Sequence, residues 1–179
     1  MREYTLRSTK TKKSSLLRRL ADIAVIFAVC FALLLLIFKV LLVPFRVAGA
    51  RVSDVAEGDI LLVDRFSRYL SDYSVGDLLR AETSAGAAVY RMAAKGGSNY
   101  TVKDGAAYID GVLIDESAYS DGWAEDVNLS IDVPEDEILL LPDDREGVKT
   151  LSEWSVLYNS VYGEVRFRVS PLSRLAVFV

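Results

Sequence analysis

The chain has 179 residues, 21 basic and 25 acidic, for a formal charge of −4 at pH 7. It holds no histidine and a single cysteine, Cys30. That excludes Ser-His and Cys-His nucleophile pairs, histidine-based metal sites and any internal disulfide. The charge is unevenly placed: Arg2, Arg7, Lys10, Lys12, Lys13, Arg18 and Arg19 face only Glu3 in residues 1–20, whereas 13 basic and 23 acidic residues lie from Phe45 onward. The resulting −10 on the larger part argues against nucleic-acid binding.

No charged residue occurs between Ile23 and Phe38, and apolar character continues past Lys39 to Phe45. About 23 residues suffice to cross ~30 Å of hydrocarbon. The reading is a basic cytoplasmic segment (1–20), one transmembrane helix (21–44) ended by Pro44, and an extracytoplasmic domain (45–179). The basic cluster sets the N-terminus inside by the positive-inside rule, and Lys39 snorkels toward the outer headgroups. The protein is thus expected in the plasma membrane as a single-pass chain, in contact with lipid through 21–44. Ala48-Gly49-Ala50 also has the small-x-small form of a signal-peptide cleavage site. The length of the apolar stretch and of the leader before it favours the anchor.

Beyond the anchor, short apolar or alternating runs are separated by Gly, Asp, Ser and Pro. Asp59-Ile60-Leu61-Leu62-Val63 follows a Glu57-Gly58 turn, and Leu78-Leu79 follows Gly76-Asp77. Tyr100-Thr101-Val102 and Ala107-Tyr108-Ile109 flank Lys103-Asp104-Gly105, a hairpin turn by composition. Asp110-Gly111 turns into Val112-Leu113-Ile114. Ile138-Leu139-Leu140-Leu141 is wholly apolar. Val165, Phe167 and Val169 alternate with Glu164, Arg166 and Arg168, as on a half-buried strand. Leu175 to Val179 reads as either a packed last strand or a membrane-facing lip. No long segment has a 3.6-residue period, so the fold class is mainly β, an antiparallel domain after one N-terminal helix.

The order of these landmarks resembles bacterial type I signal peptidases. In that family the serine lies in Ser-Gly-Ser-Met-x-Pro-Thr-Leu, with Gly-Asp eight residues after the nucleophile. Here Phe45-Arg46-Val47-Ala48-Gly49-Ala50-Arg51-Val52-Ser53 leads to Gly58-Asp59. Tyr90-Arg91-Met92-Ala93-Ala94-Lys95-Gly96-Gly97-Ser98 stands where the family has Lys-Arg-Val-Ile-Gly-x-Pro-Gly-Asp. Pro142-Asp143-Asp144-Arg145 is similar to its Gly-Asp-Asn-Arg. Gly163-Glu164-Val165-Arg166-Phe167 and Ser170-Pro171-Leu172-Ser173-Arg174 resemble its closing strand.

The resemblance implies a serine nucleophile and a lysine base whose pKa an apolar surround depresses. Counting along the same motifs puts Ala50 at the serine position and Tyr90 at the lysine position. Alanine has no nucleophile, and a tyrosine hydroxyl is a poor base at neutral pH. The family's later Ser-x-Asp-Ser-Arg is replaced by Val148-Lys149-Thr150-Leu151-Ser152. A relocated dyad of Ser53 and Lys95 is the alternative. Each lies an odd number of positions from its ancestral site, which on a strand turns the side chain to the opposite face.

The resemblance further implies a substrate cleft walled by strand Val47-Ala48-Gly49-Ala50 and strand Ala87-Ala88-Val89, with Tyr90 filling the lysine's space or capping the cleft. Asp143, Asp144 and Arg145 would form a supporting turn with a local Asp-Arg contact. No metal or cofactor is implied. Such a chain is expected to be a non-catalytic homologue that binds or presents an exported protein, since strand addition uses main-chain hydrogen bonds and outlives the serine. Dyad-lacking relatives in some Gram-positive bacteria assist pilus assembly beside pilins and a sortase. A pilin, with a sortase nearby, is therefore the specific partner the resemblance suggests. An active signal peptidase using Ser53 and Lys95 is the competing reading.

Overall fold

In this computed structural model, residues 10–70, 73–84 and 86–178 are described. Helix α1 spans Lys10–Leu41 and contains neither glycine nor proline. Its stretch Leu17–Leu41 is long and apolar enough to cross a membrane, with a mean hydropathy of 3.0. The helix stops earlier than the sequence suggests. Leu42–Arg46 is strand β1, and Pro44, expected to end the helix, lies inside that strand. Proline disfavours helix at the residue before it. It also lacks a ladder donor, and β1 is an edge strand, where that loss is tolerated.

The chain divides into two compact units, residues 1–40 and 41–179. Among the described residues every strand pairing in the second is antiparallel. In chain order it contains β2 (Ile60–Asp64), the one-turn helix α2 (Ser67–Leu70), β3 (Leu78–Thr83), β4 (Gly86–Ala94), β5 (Asn99–Lys103), β6 (Ala106–Ile109), β7 (Val112–Ile114), β8 (Leu129–Asp132), β9 (Glu137–Leu141), β10 (Ser155–Leu157), β11 (Val161–Ser170) and β12 (Ala176–Val177). The larger sheet runs β1-β2-β11-β3-β4-β9-β10, with β12 on β11. The smaller runs β7-β6-β5-β8. The mainly antiparallel β class expected from the sequence is the one observed.

Two of the expected turns carry the smaller sheet. Asp104 and Gly105 have φ of 52° and 76°, and Asp110 and Gly111 have 51° and 80°. Paired positive φ values are what a two-residue hairpin turn demands, and Asp-Gly supplies them at low cost. The larger sheet is covered on both faces. Along β4, Val89 joins Val47, Val52, Val55, Leu61, Val63, Leu78 and Val165 in one cluster. Its neighbours Tyr90 and Met92 join the larger cluster with Leu79, Ala81, Leu139, Leu140, Val148, Leu151 and Trp154. The two-residue period of the strand separates them.

The alternation read over Val165, Phe167 and Val169 does not survive folding. The register against β2 shifts between Val165 and Phe167 and again between Arg168 and Ser170. A bulge inserts a residue and reverses the facing of the residues beyond it, so Val165 is buried while Phe167 is exposed. The final run forms a short strand; Leu175 just before it and Val177 within it are 61% and 64% exposed. Ala176 and Val177 pair with β11, and Phe178 packs on the Val47–Val89 cluster; Val179 lies outside the described residues.

Candidate functional site

Residues 47–50, expected as a strand, are irregular and follow β1. Val47 is buried and keeps two ladder-like bonds, its N–H donating to Asp59 O and its carbonyl accepting from Gly58 N–H, each 2.9 Å. Beyond it Ala48, Gly49 and Ala50 are exposed, and a Cβ at Gly49 would meet nothing within 4 Å. The strand ends because its partner does: β2 begins at Ile60, opposite Arg46. Ala87 is exposed and Ala88 half-buried on β4. The β4–β9 ladder starts only at Arg91–Leu141, so residues 86–90 have an edge that β9 does not cover. Val47 and Val89, one from each expected wall, belong to the same buried cluster.

Ala50 opens onto a cleft of about 1050 Å³. It is lined by residues 50–53, 117–124 and 142–148, with Val127 and Trp154. Ala50 and the segment Asp143, Asp144, Arg145 are therefore on one cavity. Ala48, Gly49 and residues 87–90 are not among its lining residues. Tyr90 neither faces nor caps it. The ring is fully buried, edge-on to Trp154 at 5.8 Å, and its hydroxyl lies 2.9 Å from Gly86 O and 3.0 Å from Thr83 Oγ1. Trp154 reaches the cleft wall in its place.

The chemistry of the cleft centres on a residue the sequence reading passed over. Arg91 is buried in β4 and grips Asp143 through two donors, Nε to Oδ1 at 2.8 Å and Nη2 to Oδ2 at 3.0 Å. Nη2 also reaches Asp54 Oδ2 at 2.7 Å, Nη1 reaches Gly76 O at 3.0 Å, and the guanidinium lies 4.0 Å from the Tyr119 ring centroid. Asp143 additionally accepts from Ser53 N–H at 2.8 Å and Ser53 Oγ at 2.9 Å. Burial pushes the Asp143 carboxyl up, but Arg91 and the two Ser53 donors outweigh it and hold it below the usual carboxylate range. A carboxylate so held is a weak proton acceptor. A lone arginine inside the apolar run of β4 was the available signal, since a buried cation needs a buried anion.

Asp144 and Arg145 correct a second expectation. Arg145 does not pair within its own turn. Its Nη2 meets Glu116 Oε1 at 2.7 Å, with both side chains buried, and Nη1 donates to Pro142 O. Asp144 is exposed and caps Glu146 N–H at 3.0 Å. Together with Ser120 Oγ donating to Asp143 O at 3.0 Å, the Arg145–Glu116 pair fastens the long β7–β8 connection onto the 142–145 segment. That connection forms one side of the cleft.

The serines that line the cleft are all engaged. Ser53 donates to Asp143, Ser117 to Asp115 Oδ1 at 2.6 Å, and Ser120 to the Asp143 carbonyl. Among the described residues lining it there is no lysine. Lys95, at the β4–β5 turn, is not among them, so Ser53 and Lys95 do not share the cavity.

The chain thus combines an antiparallel β domain, following one apolar helix in sequence, with a cleft lined by the loop after β1 and by Asp143-Asp144-Arg145. A family model described as signal peptidase, peptidase S26, matches residues 19–150, and the chain belongs to that family. Among solved structures it is similar to a signal peptidase I from Enterococcus faecalis V583, at 19% identity and a TM-score of 0.42, over 52% of this chain and 97% of that one. No curated protein matches.

Proposed function

We propose that this protein is a membrane-anchored signal-peptidase homologue that binds and presents an exported protein without cleaving it. The observation that carries this reading is the cleft's composition. Alanine stands at the ancestral nucleophile position, and none of the described lining residues is a lysine. The lining serine nearest to it, Ser53, is tied to a carboxylate that Arg91 already occupies. Among the described residues that hydroxyl donates to Asp143 and to the Tyr119 carbonyl, and neither is suited to take its proton at neutral pH.

Binding has support of its own. The main chain of residues 48–50 is exposed and takes no part in the hydrogen bonds given by its neighbours Val47 and Arg51. Residues 86–90 leave a strand edge beyond the end of β9. Unpaired main chain beside a cleft is what strand addition uses. The apolar stretch Leu17–Leu41 supplies the anchor, with the basic N-terminal segment inside. A pilin, presented near a sortase at the outer face, is the partner class suggested by the family resemblance.

The test uses the full chain in detergent with a purified preprotein. The expected outcome is saturable binding and no cleavage. Cleavage that disappears in Ser53→Ala would establish the competing reading, an active peptidase with an unusual dyad. Deletion of the gene is expected to impair pilus or surface-protein assembly; unchanged assembly would remove the presentation role. Sequencing the mature N-terminus checks the anchor, since a chain starting at Arg51 would mean that the helix is removed as a signal peptide.

A further inference from the structure

Arg80, on β3, is a half-buried cation that the fold holds in place without supplying an anion. Its guanidinium carbon lies 4.2 Å from the Phe45 ring centroid and 4.7 Å from that of Tyr162. Its Nε is buried and has no hydrogen-bond partner. Arg91, Arg145, Arg166, Arg168 and Arg174 each meet a carboxylate, whereas among the described residues Arg80 meets none. Glu82 stands two positions along the same strand, but it accepts from the Tyr162 hydroxyl at 3.1 Å instead.

Strand register locates this cation. Arg80 is opposite Val89, and Glu82 is opposite Ala87. Directly opposed residues of an antiparallel pair share a face. Val89 is buried in the cluster that contains Val47, and Phe45 packs on that cluster. Arg80, Phe45, Ala87 and Val89 are therefore on one side of the sheet, at the stretch 86–90 whose edge β9 leaves uncovered. Ala87 is exposed and its side chain ends at Cβ, which keeps this face of the edge open.

If an exported segment adds to this edge, as proposed, its alternate side chains fall on the face that carries Arg80. On that reading we infer that Arg80 receives a side-chain carboxylate of the bound segment, so that the protein selects an extended stretch containing aspartate or glutamate. Aromatic packing holds a guanidinium by its faces and leaves the N–H donors at its edge. A carboxylate takes two of them at once. The rings return only part of the hydration that a partly buried cation loses, and an anion brought by the ligand compensates further.

Peptide binding to the full chain in detergent tests this. The probes are peptides rich in alanine and serine, dansylated at the N-terminus and amidated at the C-terminus, with the central residue set to Glu, Gln or Lys. Fluorescence polarisation gives the affinities, and tryptophan fluorescence in urea checks that each variant is folded. The Glu peptide is expected to bind at least about five-fold more tightly than the Gln peptide, and the Lys peptide most weakly. In Arg80→Gln the Glu and Gln peptides should bind equally, at the parent's affinity for Gln. Arg80→Lys, which keeps the charge without the fork, should retain part of the preference. Equal, saturable binding of Glu and Gln peptides by the parent would overturn the inference and leave strand addition standing. A preference that persists in Arg80→Gln would assign the carboxylate to another cation and equally overturn it. Binding of none of the peptides would remove the strand-addition reading and the inference with it. Should Arg80→Gln not fold, Glu82→Gln carries the test: removing the neighbouring acid should raise the preference for Glu, and a preference that stays the same or falls counts against Arg80.

Discussion

Replacing Arg91 by leucine removes the cation of a buried pair and leaves the anion in place. Asp143 is 6% exposed and would keep only the two Ser53 donors. Breaking a buried pair from one side costs about 3–5 kcal/mol. The Gly76 carbonyl also loses its partner, at about 1 kcal/mol. The arm to Asp54 adds little, because that carboxylate is half exposed. The expected loss is about 4–6 kcal/mol at pH 7. With a urea slope of about 1–2 kcal/mol/M, the midpoint falls by at least about 2 M.

Trp123 and Trp154, both in the domain and close to this network, give a fluorescence readout of urea unfolding for the full chain in detergent. Asp143→Leu added to Arg91→Leu is expected to recover more than half of the loss, because the stranded charge is gone. The pH dependence has a definite sign. In the native chain the Asp143 carboxyl is held low, so its contribution is present above the ordinary carboxylate range and lost as pH falls through the folded value. Without Arg91 only the two Ser53 donors remain against burial, so the carboxyl is held down less and the deficit of the variant narrows as pH falls. A single variant that loses less than about 1 kcal/mol, or a double variant no more stable than Arg91→Leu, would refute the role assigned to this pair.

Other outcomes rest on the same geometry. Burial, with Asp77 and Asp64 nearby, pushes the Glu164 carboxyl up to about 7 against the pull of Arg166. Its stabilising contribution is complete below the unfolded value and is lost as pH rises through about 7. Glu164→Gln is therefore expected to gain stability relative to the parent between pH 5 and 8, by up to about 3 kcal/mol in thermal or urea melts. A constant difference across that range would contradict it. At Gly96 a Cβ would lie 2.5 Å from Glu135 O and 2.8 Å from Glu137 O, both main chain. Gly96→Ala is expected to cost about 3 kcal/mol, read as a shifted urea midpoint. Tyr90→Phe removes a buried hydroxyl that bonds Gly86 O and Thr83. It should cost about 1 kcal/mol while leaving peptide binding unchanged, because the ring lies behind Trp154.

Much of the architecture was legible because it depends on local pattern. The apolar stretch needs only composition and length to be recognised. The Asp-Gly turns at 104–105 and 110–111 need only residues that tolerate positive φ. The run 138–141 is apolar because β9 is buried along that length, at 2% exposure or less. The resemblance places Ala50 and Tyr90 at the serine and lysine positions by their spacing from Gly-Asp and Gly-Gly landmarks.

What the sequence by itself determined is the antiparallel β class and the apolar helix. Tertiary structure alone decided which side chains meet. The bulges of β11 reverse its facing partway along, and such an insertion leaves no mark in a two-residue pattern. Arg91 and Ser53 stand 52 and 90 positions from Asp143, and the three become neighbours only when β4, the 142–145 segment and the loop after β1 pack together. Ala50, read first as a strand residue in a wall, lies instead on an irregular cleft rim, because its partner strand begins at Ile60 and leaves residues 48–50 unpaired.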